Sequence, residues 1–267
     1  MNIDFADDQN ITSVIGHNLF MLYENIYNIT PSVSLIKADG LTSININNSV
    51  WPRYIYNIDF RSASLNERLE KIVHNIKKRK VPPFLLVGPD FISEHNHNII
   101  EDNGFIKIAE WQGMAMDMKS FTINNYKPVI EIVTVGNQNQ LNDWYHIVRE
   151  ELYSNKKLEK EIFYRFHEEN NTKLFIGYAE NKPVTTSMSF VVNNVAGLYM
   201  IATKREYRKL GFGKAITHHA MKDSKQSGAN ICILQSTIDG YPIYKKIGFK
   251  EYCEFSIYWL AGKEYKF

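Results

Sequence analysis

The stretch YMIATKREYRKLGFGKAITHHAMKDS, residues 199–224, joins a strand pattern to a helical pattern through a turn rich in Arg, Lys and Gly. A helix N-terminus has four unpaired N–H groups and a partial positive charge, so it can bind a phosphate group. Gly211 and Gly213 would let a diphosphate approach the backbone closely, and Arg208, Lys209 and Lys214 supply cations at the turn. Together, the strand, the R-x-x-G-x-G turn and the helix predict a phosphate-binding site.

Two common nucleotide-binding motifs fit this turn poorly. A dinucleotide fold requires G-x-G-x-x-G after its first strand, whereas Ile216 stands at the third glycine position and three predicted antiparallel strands precede the turn. The P-loop pattern G-x-x-x-x-G-K-[ST] does not occur in the sequence. After the turn, Phe212, Ile216 and Ala220 form an apolar stripe that we expect to pack against a sheet.

The hydrophobic pattern of the second half predicts an α/β (α+β) fold in which helices flank a mixed, mostly antiparallel sheet. The predicted strands span residues 130–135, 173–178, 184–192, 195–202, 231–236 and 251–260. The predicted helices span residues 141–153, 159–169, 213–226 and 241–247.

An internal repeat divides the chain into two similar halves. Residues 101–118 and 244–260 share one plan, a helix end followed by Gly-Phe and a strand. Gly104 and Gly248 stand where each helix would end, a position that favours glycine. Helical patterns at 10–27 and 137–151 open the two halves. We therefore predict two domains, residues 1–127 and 128–267.

Composition excludes several functional classes. The chain has 267 residues and 31 basic against 29 acidic side chains, so a nucleic-acid partner is not expected. We interpret the run Lys77–Lys80 as the solvated end of a helix, where cations complement the helix dipole. An acidic N-terminus and the lack of any apolar run of about 18 residues predict a cytosolic protein without a membrane partner.

Cysteine and histidine patterns indicate packing rather than chemistry. Cys232 and Cys253 lie in strand-like runs and are expected to be free, buried thiols. The pairs His95/His97 and His218/His219 lack the i, i+4 spacing with a carboxylate that is typical of a zinc helix. We predict no metal site.

The second half resembles the GNAT superfamily of acyl-coenzyme A dependent N-acyltransferases. The resemblance depends on LYMIATKREYRKLGFGKA (198–215), ICILQST (231–237) and GYPIYKKIGF (240–249). It implies acetyl-coenzyme A as co-substrate, with its diphosphate on the glycine turn and its pantetheine arm beside the strand that precedes it. The cofactor-binding residues so implied are Ile201, Ala202, Thr203, Arg208, Lys209, Leu210, Gly211, Phe212, Gly213 and Lys214. The first half has no R-x-x-G-x-G turn, and we interpret it as a degenerate copy that covers the acceptor cleft or completes the sheet.

The resemblance also implies a catalytic residue. Tyr244, four residues before Gly248, stands where the family keeps the tyrosine that protonates the leaving thiolate. Backbone N–H groups near Ala202 and Thr203 would stabilise the oxyanion formed by direct amine attack on the thioester. The general base is open: Asp239 is the first candidate and is equally a candidate helix N-cap, while Glu206 and Glu110 are less well placed.

The leading hypothesis is an N-acetyltransferase that acetylates a primary amine on a small molecule or a peptide. The alternative is a catalytically silent module that binds or senses coenzyme A, and a third reading is a purely structural fold. Both a monomer and a homodimer fit the sequence.

Overall fold

The protein is described by a computed structural model that covers residues 8–59, 64–89, 93–122 and 130–262. These residues contain seven α-helices: α1 (Asp8–Ile29), α2 (Leu65–Lys77), α3 (Glu94–Asp102), α4 (Gln138–Tyr153), α5 (Lys160–Glu168), α6 (Phe212–Gln226) and α7 (Tyr241–Ile247). The strands are β1 (Val33–Ala38), β2 (Leu41–Ile46), β3 (Tyr54–Tyr56), β4 (Phe84–Val87), β5 (Phe105–Asp117), β6 (Glu131–Thr134), β7 (Thr172–Ala179), β8 (Lys182–Val192), β9 (Val195–Thr203), β10 (Ile231–Ser236) and β11 (Lys250–Leu260).

All of these strands belong to one sheet, in the order β1-β2-β3-β4-β11-β5-β10-β9-β8-β7-β6. Neighbouring strands are antiparallel except for β3 beside β4 and β9 beside β10, which are parallel. Helices cover both faces of the sheet. The predicted α/β class with a mixed, mostly antiparallel sheet is confirmed.

The two halves of the chain exchange strands at the centre of this sheet. Strand β11, from the second half, lies between β4 and β5 of the first half. Strand β5 in turn lies between β11 and β10. Each half therefore completes the sheet of the other half. The predicted domain boundary near residue 127 lies outside the described residues and stays a prediction.

The Gly-Phe repeat is visible in the backbone. Gly104 follows α3 with a φ of 89° and Gly248 follows α7 with a φ of 116°, left-handed conformations that favour glycine. Each glycine leads into one of the exchanged strands, β5 and β11. The parallel pairs β3/β4 and β9/β10 also occupy corresponding places on the two sides of the exchange.

Three groups of helices build the core. Helices α1, α4 and α5 pack on one face of the sheet, where α1 contributes Ile11 and Ile15 to a cluster that spans both halves. On the opposite face, α6 and α7 cover the second half around Ile216 and Met221. Helices α2 and α3 cover the first half on strands β3, β4, β5 and β11. Helix α1 thus connects the two halves.

The predicted elements of the second half are all present, with small shifts at their ends. Helix α4 begins at Gln138, three residues earlier than predicted, because the side chain of Asn137 caps it by accepting a hydrogen bond from Gln140 N at 3.0 Å. Residues Lys77–Lys80 are exposed, as predicted. Neither cysteine forms a disulfide, and Cys232 is buried as predicted, but Cys253, next to a register shift of β11, is only partly buried.

Candidate active site

Strands β9 and β10 form a fork. They pair only through Val195–Gly197 and Ile231–Ile233, although β9 continues to Thr203 and β10 to Ser236. Beyond Gly197 the facing backbone groups of the two strands are not paired with each other. The segment predicted to bind the pantetheine arm, Ile201–Thr203, is the end of β9, in the open part of this fork.

A β-bulge shapes the same strand. Met200 has a φ of 49°, and the register of β9 against β8 shifts opposite Thr186 and Met188. Two threonines of β8 hold the bulged segment: the hydroxyl of Thr186 donates to the carbonyl of Met200 at 3.0 Å, and that of Thr185 donates to the carbonyl of Ala202 at 2.7 Å. The bulge at Met200 is not predicted from the sequence, because YMIAT carries no glycine or proline to mark it.

The glycine turn follows β9 after a short 3-10 turn at Arg205–Tyr207. Gly211 is the N-cap residue of α6 and has a φ of 85°, a conformation that is strained for other residues. Gly213 is different: a Cβ there would lie 3.6 Å from Thr203 Oγ1 and 3.8 Å from Ile243 Cδ1, which are ordinary contacts. The protein fold therefore leaves room at Gly213, at a point where β9, α6 and α7 meet.

Arg208 links the glycine turn to helix α4 through an ion pair with Glu151. Its guanidinium lies 2.6 Å from Glu151 Oε2, and its Nε donates to the carbonyl of Thr203 at 3.1 Å. Glu151 Oε1 also accepts a hydrogen bond from the backbone N–H of Arg205 at 3.2 Å. The Glu151 side chain is 3% exposed. Glu151 is the second residue that the sequence analysis missed, because its partner Arg208 lies far away in the sequence.

The mouth of the fork combines exposed apolar and basic residues. Leu210 in the turn is 59% exposed, Ile238 is 86% exposed and Ile243 is 38% exposed. Lys209 is exposed and Lys214 is partly exposed in the first turn of α6. Exposed apolar side chains beside cations suit a ligand that carries both an apolar arm and a negative charge.

Tyr244 lies on α7 beside this mouth. Its side chain is buried in the cluster formed by α6, α7 and the sheet, with its ring centroid 6.1 Å from that of Phe249. Burial raises the pKa of Tyr244 well above its usual value of 10, so the phenol stays protonated at neutral pH. Gly240 makes room for the ring, since a Cβ there would lie 2.8 Å from Tyr244 Cε2.

The three candidate general bases lie on separate segments of the chain. Asp239 is exposed in the loop before α7, and the N-cap of that helix is Gly240. The N-cap interpretation of Asp239 is therefore wrong, because the N–H groups of Gly240 and Tyr241 both bond to the carbonyl of Thr237 and the helix starts one residue later. Glu206 is exposed in the 3-10 turn, and Glu110 on β5 pairs with Lys107 at 2.6 Å.

The histidines pack against rings. His218 lies 5.6 Å from Phe121 and His219 lies 5.3 Å from Phe175, measured between ring centroids. Burial lowers the pKa of both imidazoles. His97 hydrogen-bonds through Nδ1 to the hydroxyl of Tyr258. Within the described residues, no group of three or more His, Cys, Asp or Glu side chains is arranged to hold a metal ion.

Part of the chain is similar to a known protein family. Residues 132–255 match the family model described as an acetyltransferase (GNAT) domain. This segment contains the fork, the glycine turn and Tyr244. No curated protein sequence matches the chain.

Solved structures show the same fold over most of the chain. A GCN5-related N-acetyltransferase from Kribbella flavida is 12% identical, with a TM-score of 0.69, and the match covers 91% of this chain and 95% of that one. A functionally unknown conserved protein from Staphylococcus epidermidis is 14% identical with a TM-score of 0.65, covering 88% and 97%. A GCN5-related N-acetyltransferase from Sphaerobacter thermophilus is 12% identical with a TM-score of 0.63, covering 84% and 81%. Both halves of the chain therefore take part in the fold that is shared with these proteins.

Among the helices of the described ranges, none combines the length and the apolar character needed to cross a bilayer.

Proposed function

We propose that this protein is an N-acetyltransferase that transfers an acetyl group from acetyl-coenzyme A to a primary amine by direct attack. The observation that carries the proposal is the fork between β9 and β10, which opens beyond Gly197 and has the glycine turn of a GNAT domain at its mouth. Acetyl-coenzyme A would supply the activated acetyl thioester.

The residues at the mouth fit such a co-substrate. The N-terminus of α6 offers backbone N–H groups to a diphosphate, and Lys209 and Lys214 lie in the turn and the first helical turn. The open space at Gly213 lets the ligand approach the helix closely. The unpaired edge of β9 at Ile201–Thr203 can hydrogen-bond an extended arm as an added strand does.

The contacts of Arg208 support a positioning role, whereas the family resemblance implies a cofactor-binding role. Its ion pair with Glu151 and its bond to the Thr203 carbonyl keep the turn and the end of β9 in fixed relative positions. We assign Arg208 to positioning the turn, and we assign the charge of the diphosphate to the helix N-terminus and the two lysines.

The reaction requires one bond to form and one to break. The amine nitrogen bonds to the acetyl carbon, the carbon–sulfur bond breaks, the nitrogen loses a proton and the thiolate gains one. Backbone N–H groups of β9 near Ala202 would stabilise the negative charge on oxygen. Tyr244, protonated at neutral pH, is the proposed donor of the proton to the thiolate.

The test is release of coenzyme A, followed with a thiol reagent, when the protein is mixed with acetyl-coenzyme A and a panel of amines. We expect turnover that depends on the amine and yields the N-acetyl product by mass spectrometry. Binding of acetyl-coenzyme A without turnover of any amine would instead favour the silent coenzyme A module.

A further inference from the structure

Aromatic side chains from both halves of the chain meet beside β9. Tyr23 of α1 packs against Tyr54 and Tyr56 of β3, with ring centroids 5.8 and 5.3 Å apart. Tyr153, the last residue of α4, and Tyr199 of β9 pack against the hydrophobic cluster that contains Tyr23. Burial, together with the phenols of Tyr54, Tyr153, Tyr199 and Tyr56, raises the pKa of Tyr23 well above its usual value. We call these five residues the tyrosine cluster.

Part of this cluster is still accessible to solvent. Tyr54, Tyr153 and Tyr199 are partly exposed, and so is Trp111, whose ring centroid lies 6.4 Å from that of Tyr54. Burial nevertheless raises the pKa of each of these three phenols. Side chains that pack against the core and are still reached by solvent indicate a recess in the surface, and we call the recess beside Tyr54, Tyr153, Tyr199 and Trp111 the cleft.

The bulge in β9 turns two successive side chains toward this cleft. In a regular strand neighbouring side chains point to opposite faces. Here the hydroxyl of Tyr199 donates a hydrogen bond to Asn18 Oδ1 of α1 at 2.7 Å. The sulfur of the next residue, Met200, accepts a hydrogen bond from the hydroxyl of Tyr153 of α4 at 3.7 Å. Both side chains therefore contact helices of the same face. Ile201, the next residue, packs on the opposite face with α6 and α7.

The cleft is adjacent to the proposed reacting centre. Tyr199 and Met200 directly precede Ile201–Thr203, the segment proposed to hold the acetyl-bearing arm. Tyr153 lies two residues after Glu151 on α4, and Glu151 holds Arg208 and the glycine turn. Strand β9 thus lies between the proposed binding place of acetyl-coenzyme A and the aromatic cleft, and the open part of the fork between β9 and β10 connects the two.

We propose that this cleft binds the acceptor, and that the acceptor is a primary amine carried on an aromatic or apolar body. The inference rests on the acetyltransferase function proposed above. Tyrosine and tryptophan faces and a thioether bind an apolar or aromatic group through surface burial and stacking. The carboxylate of Glu24, near Tyr56, is paired with Lys37 at 2.7 Å.

The same surroundings bear on the protonation of the amine. A low-polarity environment disfavours charged groups, which is why it raises the pKa of the buried phenols. It would lower the pKa of a bound ammonium for the same reason, so a larger fraction of the acceptor is the neutral nucleophile. The cleft would thereby replace part of the task of a carboxylate base.

Three amines test this acceptor class: 2-phenylethylamine, phenylalanine, which adds a carboxylate to the same skeleton, and ethanolamine, which lacks the ring. We expect kcat/KM for 2-phenylethylamine to exceed that for each of the others by about tenfold or more. Preference for phenylalanine or ethanolamine would overturn the inference and leave the acetyltransferase proposal intact.

Variants of the cleft residues test whether the cleft causes the preference for 2-phenylethylamine. Tyr54→Leu should raise KM for 2-phenylethylamine about tenfold and leave the affinity for acetyl-coenzyme A unchanged; Trp111→Leu gives a second, independent variant. The control is Tyr27→Leu, since Tyr27 of α1 is 43% exposed and lies outside the cluster. Equal KM values for Tyr54→Leu, Trp111→Leu and Tyr27→Leu would refute the assignment of the cleft.

Calorimetry separates the two proposals if no amine is turned over. A protein that does not bind acetyl-coenzyme A contradicts the acetyltransferase proposal and, with it, the acceptor. A protein that binds acetyl-coenzyme A, but in whose presence 2-phenylethylamine causes no change in tryptophan fluorescence up to millimolar concentration, contradicts the acceptor class alone.

Discussion

The guanidinium of Arg208 lies 2.6 Å from the carboxylate of Glu151, so the glycine turn is held by the last turn of helix α4. Glu151 is 3% exposed on its side chain and also accepts the backbone N–H of Arg205. A buried carboxylate with two partners fixes the backbone of a loop more firmly than a surface ion pair does. The position of the turn therefore depends on a residue outside the motif.

This relationship gives a first prediction. Glu151→Ala should weaken binding of acetyl-coenzyme A about tenfold, because the turn loses the hydrogen bond from the Arg205 N–H and the ion pair with Arg208. Glu150→Ala is the matched control, since Glu150 is the exposed neighbour on the same helix. Calorimetric titration of both variants checks the prediction, and equal affinities for the two would refute the positioning role of Glu151.

Tyr244→Phe should lower kcat about a hundredfold and leave acetyl-coenzyme A affinity nearly unchanged, because it removes only the proposed proton donor. The described residues offer no hydrogen-bond partner to the Tyr244 hydroxyl, so the variant should keep its melting temperature. Tyr241→Phe is the control, as Tyr241 lies on the same helix and its hydroxyl donates to Glu251 at 2.8 Å. A Tyr244→Phe enzyme with the kcat of the wild type would exclude the phenol from the reaction.

Buried phenols predict the behaviour of the fold at alkaline pH. Burial raises the pKa of the tyrosine cluster and of Tyr244 above 10, and it raises the pKa of Tyr178 to about 12. Above pH 10 the unfolded chain loses these protons before the folded chain does, so the free energy of unfolding falls as pH rises. Below pH 10 the buried phenols make their full contribution to the free energy of unfolding.

Absorbance at 295 nm and circular dichroism should therefore change together above pH 10, because many of the phenols ionise only when the protein unfolds. Ionisation of all 16 tyrosines near pH 10 with an unchanged circular dichroism spectrum would contradict the burial of these rings.

The exchanged strands predict how the halves fold. A fragment of residues 130–267 lacks β5, which separates β10 from β11, and lacks α1, which covers both halves. We expect this fragment to have no cooperative thermal transition alone and to gain one when co-expressed with residues 1–122. A monomeric fragment that melts cooperatively by itself would show that the predicted boundary separates two independent domains.

The sequence predicts much of the local structure, because its signals are local. The Gly-Phe steps at Gly104 and Gly248, the apolar stripe of α6 and the alternation in β7, β8 and β9 each lie within one element. The exchange is different, since Phe255 pairs with Trp111 through contacts that no local pattern records. The predicted repeat is consistent with the symmetry of the exchange but does not reveal which strand completes which half.

The candidate active site likewise contains some residues that local sequence motifs predict and others that depend on tertiary contacts. The glycine turn and Tyr244 can be predicted from the sequence because each belongs to a short motif. Glu151, the bulge at Met200 and the tyrosine cluster depend on tertiary packing between distant segments, so the sequence analysis missed them. For the same reason, the sequence does not predict the positioning role that we propose for Arg208.

The central claim is that the glycine turn at the mouth of the fork binds acetyl-coenzyme A, and Gly213→Asp tests it most directly. A Cβ at Gly213 makes only ordinary contacts, and an acidic residue in the first turn of a helix is favourable, so the variant should be at least as stable as the wild type. Its carboxylate would occupy the proposed diphosphate position. Gly136→Asp is the control, because a Cβ at Gly136, just before α4, also makes only ordinary contacts.

The measurement is calorimetric titration of acetyl-coenzyme A into the wild type, Gly213→Asp and Gly136→Asp, with melting curves for each. We predict micromolar binding by the wild type and by Gly136→Asp, and loss of at least about a hundredfold in affinity, about 2.7 kcal/mol, for Gly213→Asp. Equal affinity of all three proteins, or no binding by the wild type, would contradict the claim.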